Sequence, residues 1–521
     1  MCIRDSAPTL RGTLAALAEP ALMDHIAGLG VQTVELMPLC GWVDERHLHA
    51  LGLRNAWGYN PVTHMALDPR LAPGGYAELR RVVDAFHARG IRVLVDVVLN
   101  HSGESDVFGP TLSYRGLDNR LYYRTHPDDP GLLVNDTGCG NTLALEREPV
   151  GRMALDALRL MVQAAGVDGF RYDLGTVLGR TETGYFEPDA PLLRQIAEDP
   201  VLRDRIHVME PWDIGPGGYQ LGNFKPPYHE WQDRFRDDAR RFWKGEDAMA
   251  GALATRLAGS ADLFQRNWRV PSAGVNFIAA HDGFSLADIV AYERKHNEAN
   301  GEQNRDGHNE NHSWNWGVEG FTRDAAVIEA RKRDIRALLA TLFVARGTPM
   351  LTAGDEFGRT QGGNNNAYAQ DNDLSWLDWA AADLAQAAFT ARLARLRASH
   401  AALSADAWLS GEPTEGCDLP DAAWYGQNGI LTIDEWRQAD RRLLGLFLRR
   451  ADDGVFAVFN AAMDEATMAL PPARPGRRLV VKLRSDTPDA PEAMASDTLR
   501  VGPRSVTIVV EDAADPSQSA A

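Results

Sequence analysis

A chain of 521 residues that is 44% hydrophobic, 24% charged and 8% aromatic can bury one large core with room for a second, smaller domain, and is neither disordered nor fibrous. Its formal net charge of −18 opposes association with nucleic acid or an anionic membrane surface, and leaves a neutral polymer such as a polysaccharide unhindered. The four cysteines, Cys2, Cys40, Cys139 and Cys417, form no Cys-x-x-Cys pair, so reduced thiols are expected in place of a disulfide or zinc framework. No stretch is apolar for long enough to span a membrane, and the opening from Met1 to Ser6 lacks the apolar run of a secretory signal. A cytoplasmic address is the default.

From residue 20 to about 400, short β-rich runs alternate with amphipathic helical stretches, the pattern of a parallel α/β sheet or barrel. In chain order the predicted strands are 31–39, 91–100, 169–174, 207–211, 275–281 and 348–353, with a weaker one between His229 and Gln265. Between them the spacing predicts helices over 76–89, closed by Gly90, and 149–165, closed by Gly166. Long insertions separate the strands, which suits a TIM-type (β/α)8 barrel with catalytic loops better than a compact doubly wound domain. The barrel needs eight strands, so its first is expected to be missing or hidden, and the catalytic domain to occupy 1–404. Beyond it, antiparallel strands are predicted at 443–450, 455–461, 466–471, 478–485 and 505–512, with a hairpin turn at Asp452-Asp453-Gly454. That reads as an all-β sandwich domain over 405–512, followed by a disordered tail over 513–521.

Four acidic residues close predicted strands: Asp96, Asp173, Glu210 and Asp282. A barrel delivers the C-terminal ends of its strands to one mouth, so residues distant in sequence converge there. One acid at a strand end is usually a cap for the next helix; four of them, each with distinctive neighbours, are not explained that way. In Gly169-Phe170-Arg171-Tyr172-Asp173 the strand alternation puts Arg171 and Asp173 on one face and Phe170 and Tyr172 on the other. A cation two residues before a carboxylate keeps it ionised, as a nucleophile at an anomeric carbon must be. Read alone, the pair is equally a structural ion pair. Glu210 precedes Pro211, which stops the strand, and Trp212, an apolar wall that would raise the carboxyl's pKa for proton donation near neutral pH. The plainer alternative is a solvated Glu before a turn. His101 and His281 also stand at strand ends, where an imidazole can hydrogen-bond sugar hydroxyls, although a single His is more often structural. None of these spacings suits a zinc site.

Taken together, these runs resemble the recurrent sequence regions of the α-amylase superfamily of glycoside hydrolases, in the same order along the chain. The resemblance implies Asp173 as nucleophile, Glu210 as general acid/base and Asp282 as transition-state stabiliser. It further implies that Arg171, His101 and His281 contact the sugar at the cleavage point, with Asp96 supporting that site from the third strand; Trp212, from its place beside Glu210, is expected to be a further substrate-binding residue. Tyr59, in Trp57-Gly58-Tyr59-Asn60-Pro61, matches the aromatic platform for the same sugar. From Gly12 onward the likeness is closer. The runs 230–237, 295–301, 304–311, 353–358 and 362–368 resemble glycogen-debranching enzymes of the isoamylase type.

That resemblance implies retaining hydrolysis of α-1,6 branch linkages in a branched α-glucan such as glycogen or its limit dextrin, with no cofactor and no metal. Asn100 does match a position that binds calcium in some α-amylases. An α-1,4-acting hydrolase or a glucanotransferase of the same superfamily, and a non-catalytic glucan-binding remnant, are the alternatives. The Asn-rich 295–316 loop suits polyol recognition, because amides both donate and accept, or reads as a solvated loop with Asn caps. Trp314 and Trp316 either stack on sugar faces or anchor that loop. Family members carry a β-sandwich and the first barrel strand ahead of the region matching Gly12. The chain is therefore expected to be N-terminally truncated, with unpaired strand edges at 31–39 and 348–353 and low thermal stability.

Overall fold

The structure, a computed structural model, describes residues 9–413, 419–495 and 498–513, which fall into two compact units. The first takes in the chain up to Trp231 with Asn297–Asp306 and Asn366–Ala381; the second takes in Gln232–His296, Gly307–Asn365 and the chain from Ala382.

Strands β1 (Thr33–Leu36), β2 (Arg92–Val97), β3 (Gly169–Tyr172), β4 (Ile206–Met209) and β5 (His229–Gln232) pair in parallel in chain order. The connecting helices form because their apolar residues recur on one face. In helix Gly75–His87, Leu79, Val82, Val83 and Phe86 are all buried at helical spacing. Gly90, at φ 72°, ends it: the Ile91 N–H donates to Phe86 O and the Gly90 N–H to His87 O, the paired closure that a left-handed residue allows. Helix Glu148–Ala165 carries Pro149 in its first turn and stops at Gly166, φ 75°.

The strands are shorter than the apolar runs that predict them. The 31–39 run pairs only over Thr33–Leu36, since Pro38 has no N–H to give a ladder. In the second unit the 275–281 run pairs only as β6 (Gly274–Asn276), in parallel with β7 (Thr348–Pro349), while Phe277, Ile278, Ala279 and Ala280 are buried without a ladder. An apolar run reports burial, and ladder pairing is a narrower condition. The weak strand expected between His229 and Gln265 is β5, at the start of that window; helices Asp233–Lys244 and Met249–Leu257 occupy most of the rest.

The C-terminal part of the second unit contains β8 (Ala422–Gly426), β9 (Gly429–Ile430), β10 (Leu443–Arg450), β11 (Asp453–Asn460), β12 (Ala466–Ala469), β13 (Arg477–Arg484), β14 (Ala493–Met494), β15 (Thr498–Val501) and β16 (Ser505–Ala513). Seven of them form an antiparallel sheet ordered β14-β13-β16-β11-β10-β8-β9, and β12 pairs with β15. Phe447, Phe456, Val458 and Val509 of the large sheet meet Met468, Leu499 and Val501 of the small one in a shared core. The other face of the large sheet, including Leu444, Leu446, Leu448, Phe459 and Ile508, packs into a core with Leu338, Leu339 and Leu342 of helix Ala325–Val344. Strands covered on both faces lose the alternation of a half-buried strand. The hairpin loop is Ala451-Asp452, not Asp452-Asp453-Gly454: Arg450 pairs with Asp453, and Ala451 takes the positive φ (48°) that a two-residue loop demands. Gly454 already lies in β11, where a Cβ would meet Glu511 Oε2 at 2.7 Å.

Cys40 and Cys139 are free thiols; Cys2, Cys417 and the predicted tail beyond Ala513 lie outside the described residues. Among the described residues no helix is long and apolar enough to cross a membrane.

Candidate active site

Parallel register brings the predicted acids of the first unit together. Asp96 pairs across from Arg171 between β2 and β3, and Asp173 and Glu210 immediately follow β3 and β4. Asp96 is thus inside its strand rather than at the end of it. Arg171 is fully buried, and its guanidinium serves all three carboxylates. Nη1 lies 3.0 and 2.8 Å from the two Asp96 oxygens and 3.2 Å from Asp173 Oδ1, and Nη2 lies 3.0 Å from Glu210 Oε2. The Trp231 ring centroid is 4.4 Å from the guanidinium carbon, a cation–π contact that lines the charge with an apolar wall.

The acids are held individually as well. Asn100 Nδ2 donates to Asp173 Oδ2 at 2.7 Å and to the Asp173 carbonyl at 2.8 Å, so with Arg171 both carboxylate oxygens are fixed. Leu174 adopts a left-handed backbone, φ 42°, and its N–H donates to Glu210 Oε2 at 2.6 Å. Tyr59 Oη donates to Asp96 Oδ2 at 2.5 Å. One buried cation against three carboxylates leaves the cluster short of positive charge. Burial pushes Asp96 up to about 6, against the lowering effect of Arg171.

His101 is 1% exposed, with Nδ1 2.5 Å from Asn100 Oδ1 and Nε2 2.8 Å from the Tyr59 carbonyl. Only an imidazolium can donate to both oxygens. Burial nonetheless holds its pKa below the ordinary value, with the Asp173 charge opposing. The ring braces Asn100 and the Tyr59 loop. Trp212 is half-buried, and Glu210 Oε2 takes polar contacts from Arg171 and the Leu174 N–H. The next residue, Asp213, takes a two-pronged bond from buried Arg180, Nε at 2.8 Å and Nη2 at 2.5 Å, which ties the loop after β4 to the segment after β3.

His281 and Asp282 belong to the second unit, on a half-buried turn well past the end of β6. Arg236 and Arg240, one turn apart on helix Asp233–Lys244, both feel the Asp282 charge. Arg240 donates to the Ile278 carbonyl at 2.9 and 2.6 Å and to the Asn311 carbonyl at 3.0 Å, holding the backbone that leads to Asp282.

A cleft of about 1500 Å³ opens in the first unit, walled by Glu45, His47, Asn60, Cys139, Glu302 and Tyr368 among others. Burial pushes the Cys139 thiol up to about 12, and the nearby charges of Asp173 and Glu45 add to the shift. Among the described residues no group of three or more His, Cys, Asp or Glu side chains could hold a metal ion.

No family model matches the chain. Over 466 residues it is 47% identical to a glycogen debranching enzyme of Klebsiella pneumoniae subsp. pneumoniae, covering 89% of this chain and 69% of that one. The chain belongs to the glycogen debranching enzyme family. A second member, from Yersinia pestis bv. Antiqua, is 50% identical over 448 residues, covering 83% of this chain and 67% of its own. Among solved structures, the pullulanase of Bacillus acidopullulyticus superposes with a TM-score of 0.72 at 21% identity, over 98% of this chain and 59% of that one. Pullulanase type I from Bacillus subtilis, solved with maltose, gives 0.73 at 20% identity over 96% of this chain and 67% of its own. At such identities the likeness is one of fold, a parallel α/β arrangement with a C-terminal antiparallel β domain.

Several amides of the runs that carry the debranching-family resemblance bond within the protein. Asn300 is fully buried, donating to Asp306 Oδ2 at 2.7 Å and to the Asn366 carbonyl at 2.9 Å, and Asn366 donates to the same Asp306 oxygen at 3.0 Å. These amides bond within the loop system, where polyol recognition was one expectation. Trp314 and Trp316 each donate an indole N–H to Asp334 Oδ2, at 2.7 and 2.9 Å, and Arg504 forks onto the same carboxylate at 2.9 and 2.7 Å. Of their two readings, anchoring is the one this geometry supports. Glu35 was not anticipated. It stands in β1 opposite Leu94, two residues from Asp96, and burial together with the Asp96 charge pushes it up to about 8. The signal available in sequence was a lone carboxylate inside an apolar strand run.

Proposed function

We propose that this chain is a retaining glycoside hydrolase that cleaves α-1,6 branch linkages of glycogen or its limit dextrin in the cytoplasm. In this reading residues 1–404 form a (β/α)8 catalytic barrel and 405–512 the β-sandwich. The observation that carries it is the single buried guanidinium of Arg171 shared by Asp173 and Glu210 at neighbouring parallel strand ends. In the first step the Asp173 carboxylate attacks the anomeric carbon as the bond to the leaving oxygen breaks, and Glu210 gives that oxygen its proton. In the second, Glu210 takes a proton from water, which attacks the same carbon and frees Asp173. Asp96, Tyr59, His101 and Arg171 hold the reacting groups in place, and Asp282, with His281, stabilises the cationic sugar. Two features support the α-1,6 linkage: the debranching runs at 230–237, 295–301, 304–311, 353–358 and 362–368, and membership of the family.

The test is reducing-end release from glycogen limit dextrin, pullulan and linear amylose by the parent and by Asp173→Asn. Release from the branched substrates that falls by several orders of magnitude in the variant supports the proposal. Preference for amylose, or chain transfer without release, selects an α-1,4 hydrolase or glucanotransferase instead. Binding without any turnover in the parent selects the remnant.

A further inference from the structure

The run Ala353-Gly354-Asp355-Glu356-Phe357-Gly358 has no part in the proposed reaction, yet it builds a defined turn after β7. Gly354 and Gly358 take left-handed backbones, φ 97° and 87°, on either side of a 3-10 helix over Asp355–Phe357. The turn brings Asp355 to the segment after β6, which carries His281 and Asp282. Asp355 Oδ1 accepts from the Leu286 N–H at 3.1 Å. Asp288 works in the opposite direction: its Oδ2 accepts from the Gln361 N–H at 2.8 Å, and its Oδ1 from the Thr360 hydroxyl. Each segment thus offers an aspartate to a backbone donor of the other. Thr352 Oγ1 adds a bond to the Ala279 carbonyl at 2.9 Å, on the other side of Asp282.

Residues 280–285 are therefore fixed on both flanks. Before them Arg240 grips the Ile278 carbonyl, and after them the Asp288 N–H donates to Ser285 Oγ at 3.2 Å. Asp355 is anchored in turn, its carbonyl accepting from Gln386 Nε2 of helix Leu384–Ser399 at 2.8 Å. Both side chains are buried, Asp288 at 0% and Asp355 at 1% exposure. Burial pushes Asp355 up to about 7, with the Arg359 charge opposing and the Glu356 and Asp288 charges adding; burial raises Asp288 too. Carboxylates so costly to bury are not packing devices, since an apolar side chain would fill the space at less cost. What an aspartate adds is a strong acceptor aimed at a backbone N–H.

We propose that Asp288 and Asp355 form a reciprocal lock between the segments after β6 and β7, and are positioning residues for Asp282. This rests on the reading of Asp282 as the group that stabilises the cationic sugar. The lock itself touches no substrate, so its loss misplaces Asp282 and falls on turnover, with substrate binding kept.

Asp288→Ala and Asp355→Ala each open one half of the lock. Asp355→Asn, which keeps an acceptor oxygen, is the rescue, and Asp282→Asn is the reference. Kinetics on limit dextrin are measured below the melting transition of each variant, and amide hydrogen exchange is followed by mass spectrometry. The expected result in each alanine variant is kcat lowered about tenfold or more, the scale of a small misplacement near the reacting atoms, with KM within about twofold. Exchange should quicken over 279–290 and 352–361 alone, and Asp355→Asn should recover most of kcat. The double alanine variant should lose no more than the worse single one, because the two halves act as a unit. Thr360→Val deletes only a hydroxyl bond and serves if an alanine variant does not fold; kcat should fall about threefold. Unchanged kcat in these variants overturns the proposal, as does a loss carried by KM or exchange that stays slow over 279–290. An Asp282→Asn enzyme as active as the parent sinks the proposed role of Asp282, and the lock then stands or falls on exchange.

Discussion

Replacing Arg171 by Met isolates the charge balance of the site, since Met keeps most of the volume against Trp231 and removes the cation. Asp96, Asp173 and Glu210 would each lose an ion-pair partner within 3.2 Å, in a place where the Arg171 side chain is 1% exposed. Breaking a buried pair from one side costs about 3–5 kcal/mol, and contacts to one cation do not add, so about 4 kcal/mol is the expected loss above pH 7. That is a large share of the roughly 5–15 kcal/mol by which a protein is stable.

The loss carries a pH signature. Asp96 already rises from 3.8 to about 6 on folding, so its ionised form is disfavoured in the folded chain and stability declines as pH climbs through that interval. Arg171 lowers the Asp96 pKa, and its removal moves the folded value higher still. The added penalty is then fully present above the new folded pKa and fades as the pH falls and the carboxylate is protonated. Urea unfolding of parent and variant, followed by far-UV circular dichroism at pH 5 and pH 8, measures it. A penalty below about 1 kcal/mol at pH 8, or one of equal size at both pH values, would refute the argument that the guanidinium is what makes three buried carboxylates tolerable.

Other perturbations address single roles. Glu210→Gln should lower turnover of glucan substrates by about 10²–10⁴ and spare glycosyl fluorides, whose leaving group needs little protonation; equal loss on both would remove Glu210 from the acid/base role. Glu35 keeps its proton up to about 8 in the folded chain against 4.5 when unfolded, so wild-type stability should decline as pH rises across that window. In Glu35→Gln that decline should be flattened, and urea midpoints that keep the parent's slope would show that Glu35 is not the group titrating. Trp314→Phe deletes an indole bond to the buried Asp334 carboxylate, and should lower stability by about 1.5–3 kcal/mol while leaving KM for limit dextrin unchanged. A raised KM at unchanged melting temperature would restore the sugar-stacking reading.

Much of this was legible in the residues themselves, for a definite reason. Strand alternation alone puts Arg171 and Asp173 on one face, with Phe170 and Tyr172 going to the core, and the bonds follow that division. Helix ends at Gly90 and Gly166 could be read from local chemistry, because a left-handed residue is a local requirement. Strand ends could not. The runs at 31–39 and 275–281 are apolar over their length because they are buried, and pairing depends on which backbone lies alongside, which no single segment encodes. The hairpin at Ala451-Asp452 was displaced for the same kind of reason: Asp-Gly is the stronger local turn signal, but Gly454 is needed where Glu511 crowds β11.

Partners between distant segments were decided by the tertiary structure alone. Sequence named Asp96, Asp173 and Glu210 as acids at strand ends, yet only the parallel register of β2, β3 and β4 makes them share one guanidinium. Sequence left Trp314 and Trp316 between two readings, and the carboxylate of Asp334, with Arg504 from near the end of the chain, supports the anchoring one. Glu35 acquires its raised pKa, and Tyr368 its place beside His47 and Glu302, only when strands and loops far apart in the chain are brought together. A residue's type sets which bonds it can make; burial and neighbours, which are properties of the folded chain, set which of them it does make.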